Sequence, residues 1–451
     1  MPAEHPEHPE SPEGAESATL QQVLAAEGIA GAEAAPPPEF ENLVALTHKA
    51  TKLDPHAEPV LTVRDLKMHF PLRSSFVRRT VGYVQAVDGI SFEVPKGGSL
   101  GLVGESGCGK STTGQLITRL YKPTSGSMMF EGHDLANVSK RDMKPLRREV
   151  QMIFQDPYSS LNPRHTVGSI VATPLRTHNV VPKNQTLSRV QELLEVVGLN
   201  PEHYNRYPNE FSGGQRQRIG IARALALQPK LLVADEPVSA LDVSIQAQVV
   251  NLLQDLQKEY GIAYLFIAHD LAVVRHVCPE VAVMYLGKIV EIADRESLYE
   301  HAHHPYTQAL LSAVPDVKQA SIGGRRERIM LTGDVPSPIN PPSGCRFRTR
   351  CPIAQDICAR QEPPLMQIGP RHKVACHFAG ELGHHPTQPV TAPLFGDDQG
   401  RDPQTSPLAE VSNDVGYGPR WLDLRTGALT DEQRKVAGGS PEPGQDLSAT
   451  P

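Results

Sequence analysis

Apolar positions along this chain fall into short β-branched runs that alternate with longer stretches of helical periodicity. The runs Leu61–Val63, Ser91–Val94, Leu100–Val103, Val150–Phe154, Leu231–Ala234, Tyr264–Ile267 and Val281–Tyr285 predict strands. Amphipathic stretches near 110–121, 186–197, 214–227, 244–259 and 271–277 predict helices. Strands alternating with helices predict an α/β domain with a mostly parallel sheet. No internal repeat is visible, so one such domain is expected.

The pattern fades at both ends. Residues 1–58 hold 8 prolines and residues 384–451 hold 9, without sustained periodicity, which predicts disordered tails. One exception is Thr19–Glu27, where Leu20, Val23 and Leu24 follow helical spacing and Gly28 ends the turn. Residues 333–344 (GDVPSPINPPSG) exclude a helix or a central strand. They open a loop-rich segment reaching to about 380 that contains four of the six cysteines. The expected plan is an acidic tail at 1–58, a folded domain at 59–319, a small extension at 320–383 and a second acidic tail at 384–451.

Composition narrows the class. Of the 451 residues 39 % are hydrophobic, and no run approaches the ~18 apolar residues of a membrane helix, so a polytopic membrane protein is excluded. The start, MPAEHPEHPESPEG, is unlike a secretory signal, which predicts a cytoplasmic chain with reduced thiols. The net charge of −7 conceals a division: 11 acidic against 2 basic side chains in 1–58, 10 against 5 in 384–451, and 30 against 37 between them. A basic middle suits nucleotide phosphates, an anionic membrane surface or an acidic partner.

The sharpest local signal is GLVGESGCGKST at 101–112, which fits G-x-x-x-x-G-K-[ST] with Gly104, Gly109, Lys110 and Ser111 in the fixed positions. A strand precedes it and a helix follows. Gly104, Glu105, Ser106, Gly107, Cys108, Gly109 and Thr112 belong to the same cradle, whose N–H groups and helix N-terminus suit phosphate oxygens. Lys110 is placed for the β- and γ-phosphates and Ser111 for Mg²⁺. LLVADEP at 231–237 buries a strand and delivers Asp235 for the metal and Glu236 as a general base for water.

Further motifs carry a family resemblance. FSGGQRQR at 211–218 resembles the signature motif of ABC-type ATPases, PVSALD at 237–242 the D-loop with Asp242, IFQDP the Q-loop with Gln155, and FIAHD the switch histidine His269. AVDGISFEV, DPYSSLNPR, DVSIQAQVVNLLQDLQ and HPYTQALL resemble the ATP-binding subunits of oligopeptide/dipeptide permeases, closer to the F-type than to the D-type. The resemblance covers roughly residues 59–380. It implies the ABC P-loop ATPase fold, a mixed or parallel sheet core with a helical subdomain, followed by the Cys-containing extension. It implies ATP and Mg²⁺ as ligands, with Ser111, Gln155 and Asp235 at the metal. Lys110 and His269 would stabilise charge. Ser212, Gly213, Gly214 and Gln215 of one chain would close the ATP site of another. An aromatic residue would stack on adenine: Tyr83 is the candidate, with Phe70 and Phe76 in the same stretch as rivals.

The implied partners are a D-type ATPase subunit, two transmembrane permease subunits and an extracytoplasmic solute-binding protein, with no nucleic acid. The implied station is the cytoplasmic face of the membrane, where hydrolysis would energise import of di- or oligopeptides. Transport of nickel, glycosides or opines, a soluble ABC ATPase and a subunit that binds ATP without hydrolysing it are the competing readings.

Cys345, Cys351, Cys358 and Cys376 have gaps of five, six and seventeen residues. Four thiolates suit a [4Fe–4S] cluster or a structural zinc, and unmetallated thiols or a disulfide are the remaining alternatives. Zinc knuckles favour C-x₂₋₄-C, which is absent, and some permease ATPases that resemble this pattern carry a cluster, so iron–sulfur is preferred. Cys108 and Cys278 read as packing residues, and His301, His303 and His304 as an exposed helix start.

Overall fold

A computed structural model describes residues 58–74, 79–314 and 328–379. The tail readings, the Thr19–Glu27 helix and Phe76 lie outside the described residues. In chain order the elements are β1 (Pro59–Arg73), β2 (Thr80–Pro95), β3 (Ser99–Val103), α1 (Lys110–Ile117), β4 (Ser125–Phe130), β5 (His133–Asp134), α2 (Met143–Glu149), β6 (Val150–Ile153), α3 (Pro157–Ser160) and α4 (Val167–Thr177). Next come α5 (Thr186–Val196), α6 (Gly213–Leu225), β7 (Leu231–Asp235), α7 (Val243–Tyr260), β8 (Ala263–Ala268), α8 (Leu271–Val277), β9 (Glu280–Tyr285) and β10 (Lys288–Asp294). The last are α9 (Arg295–Glu300), α10 (Pro305–Ser312), α11 (Asp356–Arg360), β11 (Met366–Gly369) and β12 (His372–Val374).

Two sheets result. The larger has the order β11-β12-β10-β9-β3-β8-β7-β6, and the smaller β2-β1-β4-β5. Strands β6, β7, β8, β3 and β9 run parallel, and β10, β12 and β11 continue the sheet antiparallel. The expected mostly parallel sheet is therefore the centre of a mixed one, with a separate antiparallel sheet beside it. The apolar pattern caught only Leu61–Val63 of β1 and Ser91–Val94 of β2, because register shifts between Val63 and Leu66 and between Met68 and His69 break the alternation of the longer strands.

Central strands are apolar on both sides because both sides are covered. Along β8, Tyr264 and Phe266 enter one core while Leu265 and Ile267 enter the other. The first core packs α4 to α8 against the sheet. The second packs the small sheet, α1 and α2 against its other face. Helix ends follow local chemistry: Thr166 accepts from the Ser169 N–H, Asp270 from the Ala272 N–H, and Gly261 ends α7 at φ 63°. Among the described residues no helix is long and apolar enough to cross a membrane.

The C-terminal segment has little core of its own and joins the larger sheet. Glu291↔Val374 and Ile292↔Lys373 pair β10 with β12, and Phe347, 1 % exposed, lies in the first core. Mid-strand Glu291 is fully buried and accepts three hydrogen bonds: the His303 N–H (2.7 Å), the His304 N–H (3.1 Å) and His372 Nε2 (2.7 Å). This corrects the histidine reading. His304 does start a helix, but it is buried, because Glu291 draws its N–H inward. Burial lowers its pKa to about 4, so the ring stays neutral and its Nδ1 accepts from the Tyr306 N–H.

Candidate active site

Register assembles the site. Val103 pairs with Ala268, Asp235 with Ile267 and Ile153 with Ala234, so the C-terminal ends of β3, β8, β7 and β6 lie side by side. Everything that leaves those ends meets at one edge of the sheet, where open α/β sheets take their ligands.

The loop after β3 is tightly packed. A Cβ on Gly104 would lie 2.1 Å from the Met284 carbonyl oxygen, and one on Gly109 2.1 Å from that of Ala86; their φ values are +155° and +108°. Only glycine lets the loop pass these two carbonyls. Cys108 is buried beneath the turn, and burial pushes its thiol up. Lys110, 4 % exposed, donates from Nζ to the carbonyls of Gly104 (2.7 Å) and Glu105 (2.9 Å), which arches the loop around its ammonium. Ser106 and Gly107 are exposed at the crest, and Thr112 is half-buried in the first turn of α1.

Ser111 Oγ donates to Asp235 Oδ1 at 3.0 Å. Burial lifts the Asp235 carboxyl to about 6, with the Ser111 hydrogen bond opposing the rise and the Glu236 charge adding to it. A buried carboxylate beside a hydroxyl is a hard-oxygen pair of the kind Mg²⁺ takes.

Glu236 breaks from β7 at φ +45°, an uncommon value for a residue with a side chain. Its N–H donates to the Ile267 carbonyl at 2.8 Å and its carbonyl accepts from Ser239 Oγ at 3.1 Å, which fixes the bend. The bend points the carboxylate at two neighbours: Gln155 Nε2 donates to Oε2 at 2.6 Å, and His269 Nδ1 lies 3.4 Å from the same oxygen. Lys110, Ser111, Asp235, Glu236, Gln155 and His269 thus share one edge.

Ser212, Gly213, Gly214 and Gln215 lie apart from it. Ser212 caps α6: its Oγ accepts from the Gln215 N–H at 3.3 Å, while its own N–H donates to Gln215 Oε1 at 3.0 Å. Gly214 is a packing requirement, since a Cβ there would lie 2.4 Å from Ile245 Cγ2 of α7. Asp242 precedes α7 without a side-chain cap bond. Tyr83 is 52 % exposed, whereas Phe70 packs edge-on against Tyr121 with centroids 5.5 Å apart.

The four C-terminal cysteines are free thiols. The Cys345 N–H donates to the Cys358 carbonyl at 2.7 Å, which ties these two positions together, and Cys345 and Cys351 both pack against the first core. Among the described residues no three His, Cys, Asp or Glu side chains converge on a point that a single metal ion would occupy. Burial pushes the Cys345 thiol to about 11 and that of Cys351 to about 12.

Sequence reasoning missed two residues that hold the loop and a third that braces the strands beside it. Arg350 grips Glu105, Tyr306 receives the Glu105 N–H, and Arg346 donates to the Leu286 carbonyl (2.6 Å), to Gln85 Oε1 (2.7 Å) and to Asp88. Arg346 and Arg350 each stand beside a cysteine in GCRFRTRCP, a pattern that draws attention to the thiols and away from the guanidiniums.

Residues 87–239 match the family model described as ABC transporter, and 290–358 match the one described as oligopeptide/dipeptide transporter, C-terminal region. The chain is 56 % identical over 323 residues to the oligopeptide transport ATP-binding protein AppF of Bacillus subtilis, covering 71 % of this chain and 98 % of that protein. It is 54 % identical to the putative oligopeptide transport ATP-binding protein YkfD of the same organism, over 71 % of this chain and 95 % of that one. A putative peptide import ATP-binding protein of Brucella ovis is 53 % identical, with coverages of 70 % and 97 %.

Proposed function

The chain belongs to the oligopeptide-transport branch of the ABC ATP-binding proteins, and on that premise we propose that it hydrolyses ATP to power peptide import. The observation that carries this reading is the convergence of Lys110, the Ser111–Asp235 pair and the Gln155–Glu236–His269 group on one sheet edge. Phosphoryl transfer to water asks for positioning and charge stabilisation more than for covalent chemistry, and these residues supply both.

In this scheme the N–H groups of 104–112 take the phosphates, and Lys110 leaves its two loop carbonyls to bind the β- and γ-oxygens. Ser111, Asp235 and Gln155 would hold Mg²⁺, which supplies neutralisation of phosphate charge when bound. Glu236 orients a water and accepts its proton as the oxygen bonds to the γ-phosphorus and the bond to the bridging oxygen breaks, leaving ADP and phosphate. His269 faces the same carboxylate and donates to the γ-phosphoryl oxygens. Tyr83, exposed and without a ring partner among the described residues, is offered to adenine.

None of the hydrogen bonds of Ser212 and Gln215 reaches 104–112 among the described residues. This supports a site closed by the 212–215 edge and Asp242 of a facing chain, with a D-type subunit as that chain. Two transmembrane permease subunits and an extracytoplasmic solute-binding protein would complete the importer on the cytoplasmic side of the membrane, without nucleic acid. Lys110→Ala is expected to abolish binding of a fluorescent ATP analogue at micromolar concentrations; an affinity within twofold of wild type would overturn the nucleotide site.

A second reading concerns Cys345, Cys351, Cys358 and Cys376, which we propose hold a [4Fe–4S] cluster. The reading is supported by the bond from the Cys345 N–H to the Cys358 carbonyl, which ties two of the four positions together, and by a spacing without the C-x₂₋₄-C pair that zinc favours. The cluster would staple a segment with little core of its own. Anaerobic purification is expected to yield a brown protein with about four iron atoms per chain. A colourless protein with stoichiometric zinc refutes the cluster.

A further inference from the structure

We propose that Arg350 is a positioning residue for nucleotide binding: with Tyr306 it holds the phosphate loop in its binding shape through Glu105, and so makes ATP affinity depend on the C-terminal segment. The proposal rests on reading 104–112 as the nucleotide loop.

Glu105 stands directly after Gly104, and all three of its polar groups are engaged. Its carboxylate takes a two-pronged grip from Arg350, with Nη1 to Oε2 at 2.7 Å and Nη2 to Oε1 at 3.1 Å. Its N–H donates to Tyr306 Oη at 2.9 Å, and its carbonyl accepts from Lys110 Nζ at 2.9 Å. The first two partners come from 245 and 201 residues away. The grip is enclosed: the Arg350 side chain is 8 % exposed and Glu105 27 %.

Arg350 and Tyr306 are themselves anchored. The rings of Tyr285, Tyr306 and Phe347 contact one another with centroids 4.8, 5.2 and 5.4 Å apart, uniting β9, α10 and the C-terminal segment. The Arg350 guanidinium lies 5.9 Å from the Tyr285 ring centroid. Upstream, Glu291 binds the N–H groups that lead into α10 and thereby sets Tyr306.

Two physical effects follow. A loop with glycine at 104, 107 and 109 has much backbone freedom to lose when phosphates bind, and a pinned Glu105 has lost part of it in advance. A carboxylate beside a triphosphate would also repel it, and the two-pronged guanidinium cancels that charge while turning it away. Lysine restores the charge but not the fork.

The test is equilibrium binding of trinitrophenyl-ATP to the full chain, with urea midpoints and amide exchange of residues 104–110 measured alongside. Arg350→Ala is expected to lower the urea midpoint, because it opens an enclosed ion pair, and, where the variant is still fully folded, to weaken binding by roughly tenfold and to speed exchange across the loop. In a double-mutant cycle, Glu105→Ala is expected to recover part of that loss when added to Arg350→Ala, because it removes the unmasked charge. Arg350→Lys, the milder variant, should weaken binding by about threefold. ATP turnover at saturating nucleotide should stay within about twofold, so that KM moves and kcat does not. Binding by Arg350→Ala and Arg350→Lys within error of wild type, while Lys110→Ala loses it, overturns the proposal and leaves the nucleotide site standing. Wild-type binding by Lys110→Ala removes both.

Discussion

Glu236→Gln is expected to lower steady-state ATP hydrolysis by about 10²–10⁴-fold while nucleotide still binds. The substitution keeps the length of the side chain and the bend at φ +45°, which the bonds to Ile267 and Ser239 fix through the backbone. Gln155 can still donate to the remaining oxygen, so the 2.6 Å contact has an acceptor in the variant. What disappears is the acceptor for water's proton. Trapping ATP without turnover should also lengthen the life of the closed chain pair. Phosphate release above a tenth of the wild-type rate would rule out Glu236 as the base and redirect attention to His269, 3.4 Å away.

Removing the buried carboxylate of Glu291 should be the most damaging change to stability. Glu291→Ala strands three donors at once, the N–H groups of His303 and His304 and the ring N–H of His372, in a place that water does not reach. Breaking a buried, hydrogen-bonded pair from one side costs about 3–5 kcal/mol. A urea or thermal midpoint corresponding to less than ~1 kcal/mol would show that the segment relaxes to satisfy those donors elsewhere. His372→Ala should cost less, since the two backbone N–H groups keep their acceptor.

How much of this was legible in the sequence depended on how local the chemistry is. The loop at 104–112 and the pair Asp235–Glu236 are contiguous, and their strands are uniformly apolar, so pattern alone located them. Gln155 and His269 required the resemblance, because one Gln or one His after a strand has no pattern. Strand β10 was hidden by a charge: Glu291 interrupts KIVEIAD, and only its three donors explain why a carboxylate sits mid-sheet. Helix α4 was hidden by Pro174 inside it. Arg350 and Tyr306 were beyond reach altogether, since nothing in a linear pattern joins positions more than 200 residues apart. The Glu236 bend was also invisible, because it is imposed by neighbours in the sheet.

The placement of β3 has a consequence for how the chain acquires its shape. This strand carries the loop, yet its two neighbours are β8 and β9, where Ser99 faces Tyr264 and Leu100 faces Glu280. Pairings of such long range are entropically slow to close. A segment encoded in the first quarter of the polypeptide therefore matures late, after the second half has arrived and docked. Helical content should return early in refolding and affinity for phosphate last, so that a molecule able to grasp its fuel is one whose assembly is complete.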